Sequence, residues 1–135
     1  MSTATFFPET QREPLELHRL VQPGLRVNRL VELAAKLDLE VEDLARRCGL
    51  TRPALERRKE AHKPLSAAET DLLLRFALLF KQAVAVFEDE GEARAWLKSP
   101  QYGLAGAVPL DLAATTVGYR EVEKLLTRIE YGVYA

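Results

Sequence analysis

The chain has 135 residues, room for one domain or two small ones sharing a core, and a chain this long buries roughly two-thirds of the surface its unfolded form exposes. With 47% hydrophobic and 29% charged residues it is composed like a globular protein, which excludes a disordered polymer. Its 19 basic and 20 acidic residues leave a net charge of −1, so global charge selects no partner, and a single cysteine, Cys48, excludes an internal disulfide or a cysteine-based metal cluster. Residues 1–22 read as an arm cut by Pro8, Pro14 and Pro23, either frayed or docked through Phe6-Phe7. Met1–Glu9 has neither the basic nor the apolar region of a secretory signal, and Leu72–Phe87 is too short and too charged to span a bilayer; a cytoplasmic protein is expected.

Helical periodicity follows, with no strand pattern, so an all-α fold is expected. Val27, Leu30, Val31, Leu33, Ala34 and Leu37 predict a first helix over 26–37. A short second helix, 41–47, is stopped by Gly49, and Thr51 caps a third that runs to His62 with Pro53 harmless in its first turn. Ser66 and Glu69 form a capping box that opens a helix over 67–88. That helix is apolar almost all round and reads as a central core helix or a dimer seam. A short helix over 92–98 turns Trp96 and Leu97 inward, a glycine-rich bend leads to a helical turn at Pro109, and a last helix over 119–131 carries Val122, Leu125, Leu126 and Ile129 on one face. The expected organisation is an arm (1–24), a helix-turn-helix unit (25–65), a connecting or dimerising helix (66–90) and a small helical domain (91–135).

Ala45 and Gly49 stand four apart, with Leu44 and Leu50 beside them and Leu55 ten residues after Ala45. A helix-turn-helix needs this spacing: a small residue where the helices cross, a glycine in the left-handed turn, and leucines facing the first helix. Between Arg46 and Lys63, seven basic residues oppose two acidic ones, a local balance of +5. The start of the third helix offers Thr51, Arg52 and Ala54, then Arg57 and Arg58 one turn on; with Arg46, Arg47 and Lys63 these are the candidate DNA contacts. Arginine reads guanine bidentately, and a helix start holds phosphate. The alternative is a tight helical hairpin with a solvated basic face. One unit binds weakly, so specific recognition of DNA calls for a homodimer.

The last residues, Tyr131-Gly-Val-Tyr-Ala, are apolar and aromatic where chain ends are ordinarily polar. They either fold back on the core or insert into a partner's pocket, with the terminal carboxylate available to an arginine there. The run Ala93-Arg-Ala-Trp-Leu-Lys-Ser-Pro, then Leu110-Asp-Leu-Ala-Ala-Thr with Gly118, then Val122-Glu-Lys-Leu-Leu-Thr-Arg-Ile-Glu-Tyr-Gly-Val-Tyr-Ala, resembles the Xre/MbcA/ParS antitoxin family. The resemblance implies an Xre-like helix-turn-helix domain, a toxin-binding domain, and a RES-domain toxin partner that consumes NAD or transfers ADP-ribose from it. It further implies a dimer that represses its own operon with the toxin bound. Carried over residue by residue, the toxin-blocking end maps to Arg128, Glu130, Tyr131, Gly132, Val133, Tyr134 and Ala135. The family's recognition pattern, Ser-x-Arg-Thr-Leu-x-Arg-Arg, reads here Thr51-Arg-Pro-Ala-Leu-Glu-Arg-Arg: Leu55, Arg57 and Arg58 match, while Pro53 and Ala54 depart from it. A stand-alone dimeric regulator is the competing reading.

Enzymatic motifs are missing from the sequence. His18 and His62 are far apart among charged residues, and no metal-ligand spacing or nucleophile elbow occurs. No catalytic residue, metal or cofactor is expected. Glu88-Asp-Glu-Gly-Glu reads as a solvated helix end or an electrostatic contact for a basic toxin. Cys48 reads as a small buried filler or, less simply, a reactive thiol.

Overall fold

Leu30, Leu33, Ala34 and Leu37 recur at helical spacing because they form the fully buried face of one helix, Val27–Leu37. In the computed structural model, which describes residues 13–132, that helix is the second of eight: α1 (Pro14–Val21), α2 (Val27–Leu37), α3 (Val41–Arg47), α4 (Arg52–Ala61), α5 (Ala67–Phe87), α6 (Glu90–Leu97), α7 (Pro109–Leu112) and α8 (Thr116–Glu130). A 3-10 turn, Tyr102–Leu104, lies between α6 and α7, and there is no strand among the described residues.

The stretch expected to be an arm, frayed or docked, contains α1. Pro14 opens that helix, where a missing N–H costs nothing, and Leu17 and Val21 pack on the core while Leu15 faces out. Of the prolines that suggested an arm, Pro14 and Pro23 flank this helix, and Pro8 lies outside the described residues. Phe6 and Phe7 lie outside the described residues.

Helix α5 is the axis of the molecule. Leu73, Phe76, Ala77, Leu79, Phe80 and Ala83 are buried on several sides, and α1, α2, α6 and α8 all pack against it. Its all-round apolarity is therefore satisfied within one chain, as a core helix. Burial of Phe76 and Phe80 contributes roughly 2–3 kcal/mol each. Ser66 accepts from the Glu69 N–H at 3.1 Å and the Glu69 carboxylate accepts from the Ser66 N–H at 2.7 Å, closing the expected capping box. Thr70, buried one residue on, accepts from the Leu25 N–H at 3.1 Å, and the Leu65 N–H donates to the Leu25 carbonyl at 2.8 Å. These bonds tie the chain before α2 to the start of α5. At the far end Phe87 and Trp96 stack with centroids 5.6 Å apart, fixing the corner into α6.

Polar clasps join α6 to the end of α2. Arg94 donates to the Lys36 carbonyl at 2.8 Å, Lys98 to the Asp38 carbonyl at 2.8 Å, and Lys36 pairs with Glu90 at 3.0 Å. Cations on the last carbonyls of a helix satisfy acceptors that have no partner within it.

Candidate functional site

Helices α3 and α4 meet through a tight turn. Gly49 takes φ +84°, and the Leu50 N–H returns to the Ala45 carbonyl at 2.8 Å. Ala45 is fully buried where the helices cross, and Leu44, Cys48, Leu50 and Leu55 are buried around it. The Thr51 hydroxyl accepts from the Ala54 N–H at 3.3 Å and caps α4. Thr51, Arg52, Pro53 and Arg57 face solvent and Ala54 is half-buried. The start of α4 thus presents a short, open, basic surface.

The cations of this region fall into two groups. Arg58, expected to face DNA, instead folds back: its guanidinium binds both carboxylate oxygens of Glu69, with Nη2 3.3 Å from Oε2, and its side chain is only 25% exposed. Arg47 is likewise held, with Nη1 2.8 Å from Asp111 of α7 and Nε 3.4 Å from Asp43, an ion-pair distance without hydrogen-bond geometry. Both fasten the unit to the rest of the chain, and neither is free to reach a base while those pairs hold. Arg46 and Arg52 are over 70% exposed and have only loose partners, Asp43 at 3.3 Å and Glu42 at 4.0 Å. Arg57 and Lys63 are exposed and make no ion pair among the described residues. Arg26, unremarked in the sequence, joins this surface: with Lys59, His62 and Lys63 it lines a shallow recess of about 570 Å³, donating to the His62 carbonyl at 2.6 Å.

Burial raises the Glu69 carboxyl, but hydrogen bonds from Arg58 and Ser66, with the arginine's charge, outweigh it and hold the group below its ordinary range. Burial, with the charge of Glu69 adding to it, pushes the Cys48 thiol up to about 12. A buried thiol of that kind is inert, which favours the filler reading.

The second candidate surface is α8. It starts three residues before the expected Tyr119, because the Thr115 hydroxyl accepts from the Gly118 N–H at 3.0 Å and caps it. Gly118 is there for space: a Cβ on it would lie 2.0 Å from the Leu112 carbonyl oxygen, so α7 and α8 touch backbone to backbone. Val122, Leu125 and Leu126 are buried and Ile129 half-buried, matching the expected face. Arg75 of α5 sits 5.5 Å from the Tyr119 ring centroid and donates to the Ala113 and Ala114 carbonyls at 3.4 and 3.3 Å. Burial, and Glu123 beside it, push the Tyr119 hydroxyl up to about 12.

Further along, Gln82 donates to the Glu123 carbonyl at 3.4 Å. The two contacts advance in step, so α8 runs in the same direction as α5. Because α4 is fastened at the start of α5, the end of α8 points toward the opposite end of a helix roughly 30 Å long. Arg128, Glu130, Tyr131 and Gly132 are exposed there. Val133, Tyr134 and Ala135 lie outside the described residues.

Among the described residues, no group of three His, Cys, Asp or Glu side chains could hold a metal ion and no helix is long and apolar enough to cross a membrane.

Two family profiles match the chain. Residues 16–78 match the antitoxin Xre-like helix-turn-helix domain, and residues 82–132 match the antitoxin Xre/MbcA/ParS C-terminal toxin-binding domain. The join between them falls inside α5, so the two matched regions share one helix. Proteins named antitoxin Xre are similar over most of the length. The one from Pseudomonas putida is 31% identical over 117 residues, covering 87% of this chain and 72% of that one. Those from Yersinia enterocolitica and Photorhabdus laumondii are each 27% identical, over 85% and 87% of this chain and 78% and 80% of theirs.

Proposed function

This chain belongs to the Xre/MbcA/ParS antitoxin family, and from that premise we propose that it neutralises a RES-domain toxin that consumes NAD and represses its own operon. The toxin is blocked by the last turn of α8 and the segment that follows it, Arg128 to Ala135, inserting into its active site. Operator DNA is bound by Thr51, Arg52, Ala54 and Arg57 at the start of α4, with Arg46 and Lys63 on neighbouring phosphates. Arg47 and Arg58 act in this scheme by positioning α4. Two copies of the chain, a homodimer, read paired half-sites.

One observation carries this reading: the exposed end of α8 points away from α4 along the axis of α5. Toxin and DNA can then be held together without competing for one surface, as autoregulation by a toxin-bound repressor requires.

The test is to purify the chain with the product of its neighbouring gene and follow NAD turnover. The full chain should abolish turnover. A chain ending at Tyr131 should still bind the toxin but leave most of the turnover intact. Full inhibition by the truncated chain would rule out insertion of the tail.

A further inference from the structure

Helices α1, α5 and α8 leave an open groove of about 520 Å³ between them, lined by Pro14, Leu17 and Val21 of α1, Leu74 and Leu78 of α5, and Tyr119 of α8. Leu17, Val21, Leu78 and Tyr119 are only half-buried, so an apolar surface stays partly uncovered there. The groove offers little to a charged ligand. Its one arginine, Arg75, pairs with Asp71 at 3.1 Å, donates to the Ala113 and Ala114 carbonyls and lies over the Tyr119 ring; exposed His18 completes the polar lining. The walls also come from both halves of the chain. Leu17, Val21, Leu74 and Leu78 fall in the region matched to the helix-turn-helix domain, and Tyr119 in the region matched to the toxin-binding domain. Residues 1–15 belong to neither region.

We propose that this groove is the seat of the chain's own first residues, with Phe6-Phe7 filling it and strapping α8 to α1 and α5. The three other phenylalanines of the sequence, Phe76, Phe80 and Phe87, are all in the core or packed against it. A polar run, Pro8-Glu-Thr-Gln-Arg-Glu, connects Phe7 to Pro14, which itself lines the groove. Phe7 stands seven residues before Pro14 and reaches roughly 23 Å when extended, whereas the eight-residue α1 beside the groove is roughly 12 Å long. The reach covers the groove with slack to turn back. A segment tethered this closely is present at about millimolar effective concentration, which favours it over a second copy or a free partner. The strap needs neither toxin nor DNA and stands apart from the antitoxin reading.

The test attaches a nitroxide spin label at Thr5→Cys in the full chain, with buried Cys48 left in place, and reads the amide NMR signals. Leu78 and Tyr119, remote from the label in sequence, should broaden. That broadening should be lost, and the denaturant midpoint should fall, when Phe6→Ala and Phe7→Ala are added. Broadening that survives both substitutions, or that is confined to residues 13–16, would overturn the seat; an unchanged midpoint would overturn the strap. A mixed sample of isotope-labelled chain without nitroxide and unlabelled chain bearing it separates the occupants. Broadening of Leu78 and Tyr119 in that mixture would overturn the chain's own segment as occupant and assign the groove to the first residues of a second copy.

Discussion

Two of the basic side chains around α4, Arg47 and Arg58, are tied to other elements of the fold, whereas those along α8 stay on its surface. Arg47 and Arg58 each bind a carboxylate from another element, Asp111 of α7 and Glu69 of α5, and so anchor the helix-turn-helix unit. Helix α8 is anchored differently, by buried Val122 and Leu126 and by the backbone contact at Gly118, which leaves Arg120, Lys124 and Arg128 exposed on its outer side, Lys124 pairing with Glu121 of the same helix. The difference teaches that a count of charges along a sequence overstates the electrostatic surface wherever the fold supplies partners from elsewhere. It also divides the molecule into an end held by ion pairs and an end held by apolar packing, which can be disrupted separately.

The largest effect is expected at the apolar end. Gly118→Val puts a side chain into the Leu112 carbonyl and should cost about 3 kcal/mol of stability, read by denaturant unfolding. An unchanged midpoint would mean that α7 and α8 are not in close contact.

At the other end, Glu69→Ala removes half of the capping box and leaves the part-buried Arg58 without its carboxylate; about 2 kcal/mol is expected. The adjacent arginines Arg57 and Arg58 should separate cleanly. Arg58→Ala should lower stability, while Arg57→Ala should leave stability within about 0.5 kcal/mol and weaken operator binding by about 1–3 kcal/mol in a gel-shift titration. The reverse pattern would erase the distinction between anchoring and DNA-facing arginines.

A smaller effect distinguishes the ionic anchor from packing. The Glu69 carboxyl titrates below its ordinary range when folded, so its contribution is full above the unfolded pKa and is lost as pH falls through the folded one. The stability gap between the wild type and Glu69→Gln should therefore narrow in acid below the ordinary carboxylate range. A gap constant with pH would show that the carboxylate charge is not what holds α4.

The smallest signal is chemical: Cys48, with its thiol pushed up to about 12, should react with maleimide only as fast as the protein unfolds. Rapid labelling of the native chain would place the thiol at the surface of the turn.

Much of this organisation was legible in the residues. Thr51, Gly49 and the Ser66–Glu69 box mark helix ends by local hydrogen bonding, and those ends fall where the motifs put them. Leu44, Ala45, Leu50 and Leu55 reported the helix-turn-helix through spacing alone, and all four are buried in the core. The start of α8 was missed because Thr115-Thr-Val-Gly has little helix propensity of its own; the Thr115 cap and the seat on α7 stabilise it. Helix α1 was missed for a similar reason, its Leu17 and Val21 becoming a helical face only once the core offers them a surface.

By itself the sequence determined the all-α class, the helix-turn-helix and most helix ends, since these depend on side-chain period and on bonds a few residues long. Only the tertiary structure decided which arginines anchor and which remain exposed. Arg58 meets Glu69 eleven residues on, and Arg47 meets Asp111 sixty-four residues on, pairings that no local pattern specifies. The direction of α8 along α5, which sets the two candidate surfaces at opposite ends, was decided in the same way. It depends on where packed helices come to rest, and chain order does not fix that.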